Sequence, residues 1–266
     1  MMRKDEKNAK TISRKTLAIA LSMVLVLGAA VGGTIAWLIS STEPVKNVFT
    51  PSNIKVELAE TNNPYKMIPG WTIAKDPKVT LKANSEPCYL FVEVEENDVY
   101  ALNDDGTKGT DKLYDFDDFI AYAIDNGWTA GEGEGTGKNG VPVGVYYKKI
   151  ETKPSADTTY TVLGAGTYTD PMGTTEVTAD DVTITWSQDQ VATKPSVTEE
   201  MMEALKEVTV QDEEINNYPT LSFTAYASQL WKSNEPVRVT EDTEETYAAK
   251  VAAAQFTAAE AWANIK

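Results

Sequence analysis

Forty carboxylates, a single thiol and no histidine define the chemistry open to this chain. Without imidazole there is no Ser-His-Asp or Cys-His arrangement, no His-Glu-x-x-His zinc helix, and the commonest general base is missing. Two carboxylates alone can hydrolyse a glycosidic bond, but in so acidic a chain some pair arises by number and proves nothing. The tightest cluster, Asp115, Asp117 and Asp118, stands at a predicted helix start, where the helix dipole accounts for it. Asn103-Asp104-Asp105-Gly106-Thr107-Lys108-Gly109-Thr110-Asp111 offers oxygen ligands around a glycine turn, as calcium loops do. Its spacing departs from the EF-hand pattern, it lacks the closing Glu, and it contains Lys108. A solvated hairpin loop is expected there, with calcium binding as the alternative. No catalytic residue, resident cofactor or metal site is predicted.

Cys88 stands alone, which rules out an intrachain disulfide and a cysteine-based zinc site. Its apolar flank, Pro87-Cys88-Tyr89-Leu90-Phe91, predicts a buried core thiol. Gly131-Glu132-Gly133-Glu134-Gly135-Thr136-Gly137 superficially resembles a phosphate loop. No strand is predicted before it and its glutamates repel phosphate, so a flexible surface loop is expected.

The elements that position these residues are mostly strands. Ile54, Val56 and Leu58 alternate with Lys55 and Glu57, and Val79, Leu81 and Ala83 with Thr80 and Lys82. Tyr89–Glu95 places Leu90, Val92 and Val94 on one face. Val143–Ile150, Tyr160–Leu163 and Val182–Trp186 also read as strands. Leu221–Ala227 alternates most cleanly, with Leu221, Phe223, Ala225 and Ala227 inward. Many short strands separated by turn signals predict a mainly β fold, an antiparallel sandwich. Three helical segments interrupt it. Phe116, Phe119, Ile120, Ala123 and Ile124 follow helical spacing up to Asn126-Gly127. Ser196-Val197-Thr198-Glu199 reads as a capping box opening a helix over Val197–Glu207. Thr257-Ala258-Ala259-Glu260 reads as a second, opening a short helix with Trp262 and Ile265 on its apolar side; the alanine-rich Thr246–Ala254 is a candidate extension.

The first residues read as an address. Arg3, Lys4, Lys7, Lys10, Arg14 and Lys15 precede an apolar run from Leu17 to Ile39. Thr34 and Ala36 occupy the −3 and −1 positions that a signal peptidase reads, so cleavage is expected between Ala36 and Trp37. At 23 residues the run is also long enough to stay as an N-terminal membrane anchor, since about 20 apolar residues span a bilayer. Both readings place the remainder outside the cytosol, because the basic flank stays in. No C-terminal anchor is predicted. Losing residues 1–36 removes six basic and two acidic residues from 24 and 40, leaving 18 and 38, a net of −20. Such a surface repels nucleic acid and anionic lipid.

Gly33-Thr34-Ile35-Ala36-Trp37, then Asn47-Val48-Phe49-Thr50 and the strand Ile54–Leu58, resembles the start of TasA/camelysin-type proteins. Gram-positive bacteria secrete these with a dedicated type I signal peptidase. Pro69–Pro77, Val79–Ala83 and Cys88–Glu95 are similar to the block that follows in clostridial relatives. Leu221–Gln229 and Ala258–Trp262 resemble the family's closing strand and tail, while residues 98–195 carry little likeness. The resemblance implies a jelly-roll-like sandwich over residues 51–266 that polymerises into extracellular fibres of a biofilm matrix. It implies a donor segment at residues 37–50 that completes a sheet in the next subunit. Trp37, Ile39, Val45 and Phe49 are its candidate anchors, and Pro44 marks a kink or edge position. The metallo-endopeptidase activity described for some relatives is doubtful without histidine, and a structural role is expected instead. The alternative is a monomeric adhesin, held by an uncleaved N-terminal helix and binding its ligand through Asn103–Asp111 and Ala130–Asn139.

Overall fold

The computed structural model describes residues 53–61, 66–103, 105–171, 181–205, 207–210, 213–233 and 235–266. The first strands are β1 (Val56–Ala59), β2 (Thr72–Ala74), β3 (Lys78–Leu81) and β4 (Cys88–Asn97). A hairpin of β5 (Val99–Leu102) and β6 (Lys108–Tyr114) leads to the helical turn α1 (Phe116–Phe119) and β7 (Ile120–Ala121). Then come β8 (Thr129–Ala130), β9 (Val145–Ile150), β10 (Thr158–Thr161), β11 (Gly166–Asp170), β12 (Val182–Trp186) and β13 (Gln190–Thr193). Helix α2 (Glu199–Ala204) precedes β14 (Glu207–Val210), β15 (Glu213–Asn216) and the long β16 (Thr220–Gln229). Helices α3 (Glu244–Ala254) and α4 (Ala258–Ala263) follow, and Pro51–Lys266 packs as one compact unit.

Every strand pair is antiparallel. The principal sheet has the order β16-β4-β9-β8, and a second has the order β1-β3-β10. Their inner faces share one core: Cys88, Leu90 and Val92 of β4 pack with Val79 and Leu81 of β3, and with Trp128 and Val162. A third sheet, β2-β13-β7, joins α1 and α2 around Phe116, Phe119, Leu163, Val191 and Val197. The chain is thus mainly β, with antiparallel sheets and few short helices, as its alternation predicts.

β4 departs from simple alternation in an informative way. Its residues from Cys88 to Val92 are all buried, because α4 covers the face that alternation assigns to solvent. There Tyr89 and Phe91 meet Ala258, Ala261 and Trp262, with Val141, Val145 and Leu230 completing the cluster. A strand sandwiched on both faces reads as a continuous apolar run. The capping box that holds α4 in place is the predicted one. Thr257 Oγ1 accepts from Glu260 N at 3.2 Å, and Glu260 Oε2 accepts from Thr257 N at 2.8 Å.

Lys232, whose ammonium donates to Glu260 Oε1 at 2.8 Å, and the Thr257 N–H hold the Glu260 carboxyl below its usual 4.5. A folded value under the unfolded one stabilises the protein above about pH 4.5, and the gain disappears as pH falls through the folded value. Glu260→Gln should therefore lower Tm at pH 6, and the deficit should shrink as the pH falls below about 4.5 in thermal scans. A deficit that stays constant as the pH falls would contradict the linkage.

Cys88 is fully buried, and burial pushes its thiol up to about 12. The native protein should resist thiol reagents until it unfolds, so labelling should track the urea unfolding curve; rapid labelling of the native state would contradict this.

Several helices differ from expectation. The helix predicted from Phe116 through Ile124 is a single turn, because Ile120 and Ala121 pair instead with Thr193 and Ala192 of β13. Phe116, Phe119 and Ile120 all enter the core, a requirement that a turn followed by a strand meets as well as a helix does. Asn126 and Gly127 lie in a turn closed by Trp128 N donating to Asp125 O. The second helix spans Glu199–Ala204, not Val197–Glu207, and Glu207 already belongs to β14. Its cap is Thr198, whose side chain accepts from Met201 N, whereas Ser196 N donates to Asp170 Oδ2. Val197, just outside, packs in the same cluster as Met202, as a hydrophobic staple does. The alanine-rich segment is a separate helix, because Phe256 N bonds Leu230 O and breaks the ladder between α3 and α4.

The glycine-rich segment is fixed by hydrogen bonds. The two-residue β8 precedes it, and Gly131 N, Gly133 N and Gly140 N donate to Val145 O, Val141 O and Gly133 O. A Cβ on Gly131 would fall 2.0 Å from Pro142 O, so a close approach of backbones, not freedom, explains that glycine.

Candidate functional site

Ala36, Trp37, Ile39, Val45 and Phe49 lie outside the described residues. Among the described residues one strand edge stands out. β16 pairs with β4 from Thr220↔Asn97 to Gln229↔Cys88 and ends the principal sheet.

Two hydrogen bonds show which of its backbone groups face outward. Val94 N donates to Gly144 O on the β9 side, and Leu230 N donates to Pro87 O across the β4–β16 ladder. In an antiparallel ladder both main-chain groups of a residue point the same way, and successive residues alternate. Phe223, opposite Val94, therefore turns its N–H and C=O away from β4. Leu221, Ala225, Ala227 and Gln229 do the same. The side chains of Leu221, Phe223, Ala225 and Ala227 meanwhile pack inward, as their alternation predicts.

Proteins usually blunt a strand edge with charge, proline or brevity. β16 has none of these: its ten residues, Thr-Leu-Ser-Phe-Thr-Ala-Tyr-Ala-Ser-Gln, hold neither a charged side chain nor a proline. The other five edges of the three larger sheets are shorter. β7 and β8 have two residues each and β2 three; β10 is uncharged but has only four, and the four-residue β1 carries Glu57 in an ion pair with Lys82.

On the outer face near the centre of β16, the Tyr226 hydroxyl donates to Glu93 Oε2 at 2.9 Å. Lys266 donates to the same oxygen at 3.0 Å, with its ammonium 4.9 Å from the Tyr226 ring and 5.3 Å from Trp262. The hydrogen bond to Glu93 is the main reason that the Lys266 ammonium is held above its usual range.

The other singled-out residues have structural partners. Asp115 caps α1, and its N–H donates to Asp118 Oδ2 at 2.9 Å; Lys112 pairs with its carboxylate. Of the segment Asn103–Asp111, Asn103 and residues 105–107 belong to the connection of the β5–β6 hairpin, and Lys108–Asp111 already lie in β6. Asp105 Oδ1 accepts from Thr107 N and Oγ1, which holds its carboxyl below the usual range, while the Lys108 ammonium sits over the Tyr100 ring. Among the described residues no group of three or more carboxylates or thiols is gathered to hold a metal ion, and no helix is long and apolar enough to cross a membrane. An open cleft beside Trp128 is lined by one carboxylate, Asp125, where glycoside hydrolysis needs two. Asn126-Gly127 reads in the sequence only as a helix stop, and the turn that it forms between Asp125 and Trp128 is the one local signal of this cleft.

No protein-family model, curated protein or solved structure matches the chain.

Proposed function

We propose that this chain is a secreted structural subunit of the TasA/camelysin type, with a jelly-roll-like sandwich whose copies join head to tail by strand addition. The observation that carries the reading is the ten-residue β16, which ends the principal sheet with neither a charged side chain nor a proline and turns alternate main-chain groups away from β4, with β1 lying alongside. In the proposed assembly, residues 37–50 of one copy pair along β16 of the next. Main-chain hydrogen bonds supply affinity, and Trp37, Ile39, Val45 and Phe49 supply register. Donor and acceptor are different surfaces, so the contact propagates as an open filament of the extracellular matrix. Cleavage after Ala36 by a type I signal peptidase is the switch, since before it the donor is tethered at the membrane. The acidic surface repels neighbouring copies, an effect that salt screens.

Deleting residues 37–50 while keeping the cleavage site should yield a secreted, folded protein without filaments by negative-stain microscopy. Filaments from that variant would refute the mechanism. The Trp128 cleft favours a second reading, a surface protein that binds a ligand, either anchored by residues 1–36 or built into the filament.

A further inference from the structure

The cleft beside Trp128 has a volume of about 480 Å³, within the usual range for small-molecule sites. Its walls are Tyr122, Ile124 and Trp128 from the segment after β7, and Tyr146 from β9; Asp125 and Asn126 form its polar side. The turn that carries them is held in place. Asp125 N donates to Val162 O at 2.8 Å, and Trp128 N to Asp125 O at 3.0 Å. The rings are fixed by their polar ends, Trp128 Nε1 on Thr161 O at 2.8 Å and the Tyr122 hydroxyl on Glu96. Asp125 Oδ1 accepts from Gly127 N, whereas Oδ2 meets Gln188 Nε2 only at the long distance of 3.5 Å and keeps acceptor capacity. Asn126 is exposed and brings both a donor and an acceptor.

These groups select by chemistry. An anion meets Asp125 in the cleft, Glu96 beside Tyr122 and a net charge of −16. An organic cation would compete with a resident one, because the Lys148 ammonium stands 5.9 Å from the Trp128 ring and 5.4 Å from Tyr160. A neutral ligand with an apolar face and a hydroxylated rim fits what remains. We propose that the cleft is a saccharide subsite, which takes a neutral hexose unit of a polysaccharide. The tyrosine rings meet its C–H face, and Asp125 and Asn126 meet its hydroxyls. This site is independent of strand addition at β16.

Affinity electrophoresis tests it, using the full chain in a polyoxyethylene detergent, which carries no sugar headgroup. Native gels are cast with hydroxyethylcellulose, glycogen, mannan or galactan, and one without polysaccharide. Parent chain should be retarded in at least one polysaccharide gel. Ala130 of β8 also lines the cleft and is exposed, so Ala130→Trp, which fills the cleft, should run as in the blank gel. Asn126→Ala should bind about tenfold more weakly, as loss of one or two hydrogen bonds implies. Circular dichroism of both variants should match the parent. No retardation in any of the four gels, or equal retardation of parent and both variants, would overturn the proposal.

Discussion

Ala225→Pro is expected to abolish filaments while leaving a folded, secreted protein. The Ala225 N–H points out of the sheet, so proline there removes no hydrogen bond to β4 and is of the kind edge strands tolerate. A cost of about 1 kcal/mol would move Tm by roughly 2–4 °C in a domain of this size. The incoming strand, in contrast, loses the central donor of its ladder and meets the pyrrolidine ring. One such bond is worth about 1 kcal/mol, and displacement of its neighbours should take the loss beyond tenfold in affinity. Thr224→Pro is the control. Its N–H faces Glu93 of β4, so the same substitution one residue away removes a ladder hydrogen bond and leaves its acceptor unpaired, at a cost of about 1–3 kcal/mol before the ring's clash with β4 is added. If Ala225→Pro polymerises like the parent, β16 is not the acceptor; if it unfolds like Thr224→Pro, the outward assignment is wrong.

Trp262→Ala should produce the largest stability loss of any single truncation in α4. The indole is buried against Phe91, with ring centroids 5.2 Å apart, and stands edge-on to Tyr226 at 5.5 Å. Truncating a buried Trp costs about 3–5 kcal/mol, a large part of a typical stability of about 5–15 kcal/mol. α4 has six residues and cannot persist without the face it covers. The change would also expose the outer side of β4, which no other helix among the described residues shields at Tyr89 and Phe91. Urea unfolding by circular dichroism should show the midpoint falling sharply with Trp262→Phe intermediate. A loss under about 1 kcal/mol would mean that α4 contributes little to the fold.

Both predictions rest on features that the sequence announces only in part. β4, β16 and the Thr257–Glu260 capping box are local patterns, and each is where its pattern places it. The edge position of β16 is not local: it depends on which strands pair, and alternation is the same for a central and an edge strand. Its lack of charge was legible all along but acquires meaning only with the topology. The helix over Phe116–Ile124 misled because helical spacing and a turn followed by a strand bury the same residues, and pairing with β13 decided between them. The cleft was invisible for a similar reason. Tyr122 and Tyr146 are distant in sequence, and the strand pairings and the Asp125–Trp128 turn bring them together.

In the proposed assembly β16 receives a strand from a neighbouring copy. Residue-resolved hydrogen exchange on protein shed from cells, compared between its monomeric and filamentous fractions, tests this most directly. In the monomer, the amides of Ser222, Thr224 and Tyr226 should be protected by β4, and those of Leu221, Phe223, Ala225 and Ala227 should exchange freely. In filaments all seven should be protected. A shed protein that never forms filaments, or filaments in which the four outward amides still exchange freely, would contradict the account.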